Sequence, residues 1–213
     1  MVGPEAKSAE MSLAKREILG RVRDAIGQAE PPVLPLRNYR QSGIVSLEDF
    51  IEKLVDYNAG VYLCSADGIA TVVTHAMETR GKRSLLIPAG FPAAWLPAGF
   101  DFIRDRGLDY DTIDRSEGAL TACTAAISMT GTIILSHSET EGRRALTLIP
   151  DYHLCVVHAD QVVETVPEGI RRLRDLQTRP ITTISGPSAT ADIEMTRIKG
   201  VHGPRTLDVI LVQ

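Results

Sequence analysis

An α/β fold built on a mostly parallel sheet flanked by helices is predicted by three features of this 213-residue sequence. From residue 46 onward, short apolar β-prone runs alternate with segments of helical periodicity, the pattern of parallel strands joined by crossover helices. The last run, 207–212, is apolar on both faces except for Asp208, as a strand covered on both sides must be. With 44% hydrophobic and 23% charged residues, the chain has the composition of a globular protein and the length for one full core.

Residues 12–29 read as an amphipathic helix: Leu13, Ile18, Leu19, Val22, Ala25 and Ile26 approximate one stripe, with Lys15, Arg16, Arg21 and Arg23 off it. Pro31, Pro32 and Pro35 end it, and 30–43 reads as an extended tether. The expected division is therefore an N-terminal helix and proline-rich tether over 1–45, then one α/β domain over 46–213. The helix docks either on a neighbouring subunit or back on its own domain. Within the domain, helices over 47–58 and 69–79 alternate with strands over 61–64 and 85–87. Runs 122–128 and 132–137 flank the turn Met129-Thr130-Gly131. A strand over 154–158, extended by Val162 and Val163, precedes a helix over 167–177 begun by Pro167. Three prolines forbid a continuous helix over 88–100, so Phe91, Trp95 and Phe100 need cover from a short core-packing turn, a ligand or another chain.

Charge and composition exclude some functions. A net charge of −4 and 5% aromatic residues offer neither a basic field nor a stacking platform for nucleic acid. No apolar run approaches the roughly 20 residues of a membrane span, and the first ten residues lack the apolar core of a secretory signal, which predicts a cytoplasmic protein. Cys64, Cys123 and Cys155 form no C-x-x-C pair, so reduced thiols are expected, with no metal or cluster held by this chain.

The chemistry-bearing residues concentrate near the carboxyl end. A β-rich run over 181–185 ends in Gly186-Pro187, followed by Ser188, Ala189 and Thr190. Pro187 suits the first position of a helix, which leaves the next amides open to an anion. Asp192 and Glu194 can instead satisfy that helix end themselves. A second corner, Gly200-Val201-His202-Gly203-Pro204, enters the last strand. His202 there can transfer a proton or bind a carboxylate, or serve as a turn histidine bonding a carbonyl. Asp192 can orient it or accept from a ligand hydroxyl. Thr130-Gly131-Thr132 is either a cradle for an anion or a hairpin turn that needs the glycine.

The candidate site thus comprises Thr130, Gly131, Thr132, Gly186, Pro187, Ser188, Thr190 and Gly203 as ligand-binding residues, with His202 and Asp192 as the catalytic candidates. His137 is a secondary candidate, whereas His75, His153 and His158 read as structural or surface residues. Arg143 and Arg144 follow Glu139 and Glu141 in a loop, as a carboxylate clamp or as a solvated charge cluster.

Several of these segments together resemble the LUD-domain family, in its lactate-utilisation protein C (LutC/YkgG) branch. They are the leader ending Glu30-Pro31-Pro32, Thr130-Gly131-Thr132, Glu141-Gly142-Arg143-Arg144 with Leu148-Ile149-Pro150, and above all the stretch from Ser185 to Glu194 with Gly200 to Pro204. The resemblance implies a fold similar to the NagB/RpiA/CoA-transferase group. It also implies an accessory role beside partner subunits that carry iron–sulfur clusters, in the oxidation of L-lactate to pyruvate. This chain would bind a small anionic metabolite and no cofactor of its own. In the family this chain resembles, many members carry an acidic residue before the Thr-Gly-Thr turn where this chain has Met129, which removes an acid/base group from that position. Two other readings stand beside it. One is a stand-alone CoA-transferase-like enzyme acting on a phosphorylated or CoA-linked molecule; the other is a non-catalytic scaffold using the first helix and the 88–100 surface. Each is compatible with a homo-oligomer.

Overall fold

The computed structural model describes residues 4–27, 38–174, 179–190, 198–199 and 203–213, in two compact units divided between Tyr39 and Arg40. The first unit is helix α1 (Pro4–Ile26), which begins earlier than its apolar stripe because Pro4 suits a first helical position. An exposed Glu17–Arg21 pair at 2.8 Å lies one turn apart on it, and Gly27 at φ +60° ends it.

In the second unit, β1 (Gly60–Cys64), β2 (Ser84–Pro88), β3 (Asp101–Asp105), β4 (Ala119–Thr121), β7 (Tyr152–His158) and β12 (Thr206–Val212) form one parallel sheet, in the order β1-β12-β7-β4-β2-β3. A smaller mixed sheet has the order β8-β5-β6-β9, from β5 (Ala125–Ile127), β6 (Thr132–Leu135), β8 (Val162–Val163) and β9 (Thr182–Ile184). Val162 and Val163 therefore do not extend β7; a short turn at Ala159–Gln161 carries the chain into the other sheet.

The period of two along β12 explains its double-sided apolarity. Ile210 and Val212 pack with Val73 and Met77 of α3 (Ile69–Thr79), whereas Val209 and Leu211 pack with Phe50 and Leu54 of α2 (Leu47–Asp56) and with Ile133 of β6. The parallel sheet is thus sandwiched between α3 on one face and α2 with the small sheet on the other. Ser46 caps α2 through the Asp49 amide at 3.0 Å, so a serine before the first apolar turn sets where that helix begins.

Helix α6 (Val166–Arg172) is shorter than expected, and Thr165 caps it two residues ahead of Pro167 in a reciprocal box with Glu168. Residues 40–45 belong with this unit: Arg40 reaches Glu164 at 2.7 Å, and the Gln41 carbonyl accepts from Arg171 at 2.6 Å. Over 88–100, Phe91 is buried and a short helical turn at Ala93–Trp95 sets the Trp95 ring 5.5 Å from it, so the core supplies the cover. The expected strands did not include β3, nor the expected helices α4 (Tyr110–Asp114) and α5 (Arg144–Leu148). Both helices are five residues long, too short for a helical period to show.

Candidate functional site

The starts of β7 and β12, helix α5 and the stretch 182–188 enclose a cavity of about 310 Å³, which is small-molecule size. Gly186, Pro187, Ser188 and Gly203 all line it. Gly186 sits at φ +89°, and a Cβ there would stand 2.5 Å from the Tyr57 Cβ at the end of α2, so the corner can pass only as glycine.

The two glycine-proline corners meet directly, because the Ser188 amide donates to the Pro204 carbonyl at 2.8 Å. The helix expected after Pro187 is not formed. Ala189 and Thr190 are strand β10 (Ala189–Thr190), paired antiparallel with β11 (Ile198–Lys199). Proline's fixed φ serves an extended entry as well as a helical one. The Ser188 amide that a helix start would have offered to an anion is spent on Pro204. Thr190 lies in β10, while Asp192 and His202 lie outside the described residues.

The Thr130-Gly131-Thr132 turn does not line this cavity. It joins the antiparallel β5 and β6, with Gly131 left-handed at φ +59° and packed so tightly on α2 that a Cβ would stand 2.7 Å from the Lys53 Cβ. Its hydroxyls still reach the cavity wall. Thr130 Oγ1 lies 2.7 Å from Thr132 Oγ1, which lies 2.8 Å from the Oγ of the lining residue Ser185.

His153, read from the sequence as structural or surface, contributes to the cavity wall while only 1% exposed. It is the second residue of β7, in register between Ala119 of β4 and Leu207 of β12. Its Nε2 lies 2.8 Å from Thr121 Oγ1, and its Nδ1 has no partner among the described residues. Burial lowers its pKa to about 4, so the ring is neutral at pH 7. A histidine in an otherwise apolar buried strand was the available sequence signal.

Charge at the site follows from how the arginine pair divides. Arg143 is committed to Asp105, Nε to Oδ2 at 2.7 Å, and to the Leu108 carbonyl. Burial pushes the Asp105 carboxyl up, but the Arg143 fork and the amides of Leu108 and Gly107 outweigh it and hold the group below the usual carboxylate range. Arg144 makes no ion pair among the described residues and lines the cavity, where it is the only charged side chain among those described. Glu141 is not part of a solvated cluster. It is 1% exposed, accepting from Thr124 Oγ1 at 2.5 Å and from the Ser136 amide at 2.6 Å. Both ring nitrogens of His137 are occupied, by the Gly142 carbonyl and Thr182 Oγ1 at 2.9 Å each, so it bridges structure.

Cys123 and Cys155 are buried, Cys64 is half-buried, and all three are free thiols. Among the described residues no three histidine, cysteine or acidic side chains are placed to hold a metal ion, and no helix is long and apolar enough to cross a membrane.

Comparison with known proteins gives this geometry a context. Residues 103–212 match the LUD domain. The chain is 43% identical over 206 residues to a lactate utilization protein C of Deinococcus radiodurans, covering 93% of this chain and 95% of that one. It is 32% identical over 142 residues to a lactate utilization protein C of Bacillus velezensis, covering 63% of this chain and 58% of that one. A crystal structure of a DUF162 family protein from Deinococcus radiodurans superposes with a TM-score of 0.69 at 42% identity, covering 78% of this chain and 96% of that one.

Proposed function

The chain belongs to the LUD domain family, and on that footing we propose that it serves lactate utilisation as an accessory subunit that binds a small carboxylate and works beside iron–sulfur partners. The likeness to a lactate utilization protein C over nearly the whole of both chains carries this reading. The cavity is consistent with it: the wall holds hydroxyls and one cation, Arg144, and no acidic residue among those described. Such a wall favours a small anion over a neutral or cationic ligand.

The test is genetic and biochemical together. Disrupting the gene abolishes growth on L-lactate, a plasmid copy restores it, and the tagged full chain purifies with proteins that carry iron and acid-labile sulfide. Undisturbed growth on L-lactate, with no iron-bearing protein captured, overturns the proposal. Turnover of a CoA ester or sugar phosphate by the pure chain replaces it with a stand-alone transferase or hydrolase.

A further inference from the structure

We infer that His153 is the specificity-determining residue of the cavity, donating a hydrogen bond from Nδ1 to an oxygen of a bound 2-hydroxy or 2-oxo acid; this rests on the preceding reading that the cavity takes a small carboxylate.

Three observations carry it. The ring belongs to the cavity wall, yet it is almost fully buried and one nitrogen has no partner among the described residues. Buried polar atoms of that kind are rare in native proteins, and this one belongs to a ring in a cavity wall, so a ligand oxygen seated against the ring is the partner proposed for it. The remaining nitrogen is fixed by Thr121, so the ring is held in one orientation. Finally, Arg144 supplies the positive charge in the same wall, which leaves the histidine to supply geometry.

The Thr121 hydroxyl can serve either tautomer of the ring. It can accept from Nε2–H while turning its own proton toward Cys155 Sγ, 3.9 Å away, which leaves Nδ1 as a lone pair. When an anionic oxygen arrives, the hydroxyl rotates to donate to Nε2, and the imidazole proton resides on Nδ1, where it meets the ligand. The imidazole stays neutral throughout: one proton leaves Nε2, one is gained at Nδ1, and the only charge added is the ligand's own. Burial, which disfavours the imidazolium, keeps the ring in this two-tautomer regime at neutral pH.

The experiment uses the full chain with L-lactate, pyruvate and inorganic phosphate as probes. Calorimetry is expected to detect L-lactate or pyruvate in preference to phosphate. The substitution His153→Leu weakens that binding about tenfold or more, whereas His153→Asn, whose amide stands near the Nδ1 position, restores much of it. In ¹⁵N spectra of the unsubstituted protein, the His153 Nδ1 signal moves from the lone-pair to the protonated position on ligand addition, a readout that a merely structural histidine does not give and that needs no variant to fold. If the acids bind but the Nδ1 signal stays put and His153→Leu binds equally well, the inference falls and the carboxylate cavity stands. If neither acid binds the unsubstituted chain, or phosphate binds in their place, both fall.

Discussion

Arg80 grips Asp208 in the parallel sheet with two hydrogen bonds, Nε to Oδ2 at 2.8 Å and Nη2 to Oδ1 at 2.6 Å. The carboxylate is wholly buried and takes a third bond from the Tyr152 hydroxyl at 3.0 Å, while about a third of the Arg80 side chain remains exposed. The two partners are unequal, and so are the losses expected on removing them. Arg80→Ala strands a buried charge and is expected to cost about 3–5 kcal/mol. Asp208→Asn leaves an arginine that can turn to water, and about 1–3 kcal/mol is expected. Urea unfolding of both variants checks the ranking, and a larger loss in Asp208→Asn reverses this account.

A pH effect follows from His153. Its folded pKa of about 4 lies below the ordinary unfolded value of ~6.5, so between those limits the unfolded chain binds the extra proton. Stability from this group is complete above the unfolded value, falls as pH drops through the window, and is fully lost below the folded value. The total is roughly 3 kcal/mol, at 1.36 kcal/mol per pKa unit. Among the described residues, Thr121 is its one polar contact and Arg144 the one charge in the shared wall. Denaturation between pH 7 and 4.5 is expected to show this slope in the unsubstituted protein and not in His153→Asn.

Gly131 combines a left-handed backbone with a missing Cβ that would meet Lys53. Gly131→Ala is expected to lower stability by about 2–4 kcal/mol, from the conformational cost and the clash together. An unchanged melting temperature shows that the β5–β6 turn can move off α2.

Glu141 accepts hydrogen bonds from Thr124 and from the Ser136 amide with almost no access to water. Glu141→Ala leaves those donors bare and is expected to cost about 2–5 kcal/mol, whereas Glu141→Gln keeps an acceptor and costs less. Equal losses in the two variants point to packing rather than hydrogen bonding.

The sequence yielded α3 at its observed bounds because it carries a helical period over its whole length, and β12 within one residue because a continuous apolar run of strand length marks a strand covered on both faces. The edge strand β3 escaped notice because Asp101, Arg104 and Asp105 interrupt its apolar residues. In the site, the two glycine-proline corners were legible as turns, since such dipeptides mark turns wherever they stand. What the Ser188 amide does was not, because its acceptor comes from the other corner. His153 was harder still. Its environment is made by Thr121, 32 residues away, and by a cavity that exists only once the two corners and α5 have converged.

The strand order also determines where this protein is prone to stick to itself. Both margins of the large sheet are open among the described residues, yet they are guarded unequally. The β3 margin carries the charges of Asp101 and Arg104 beside the partly exposed Ile103, and charged residues there discourage a second chain from adding on. The β1 margin, Gly60–Cys64, has no charge at all and shows Leu63 about half exposed. Aggregation on warming is therefore expected to begin along β1, and a lysine placed at Leu63 is the simplest gatekeeper against it.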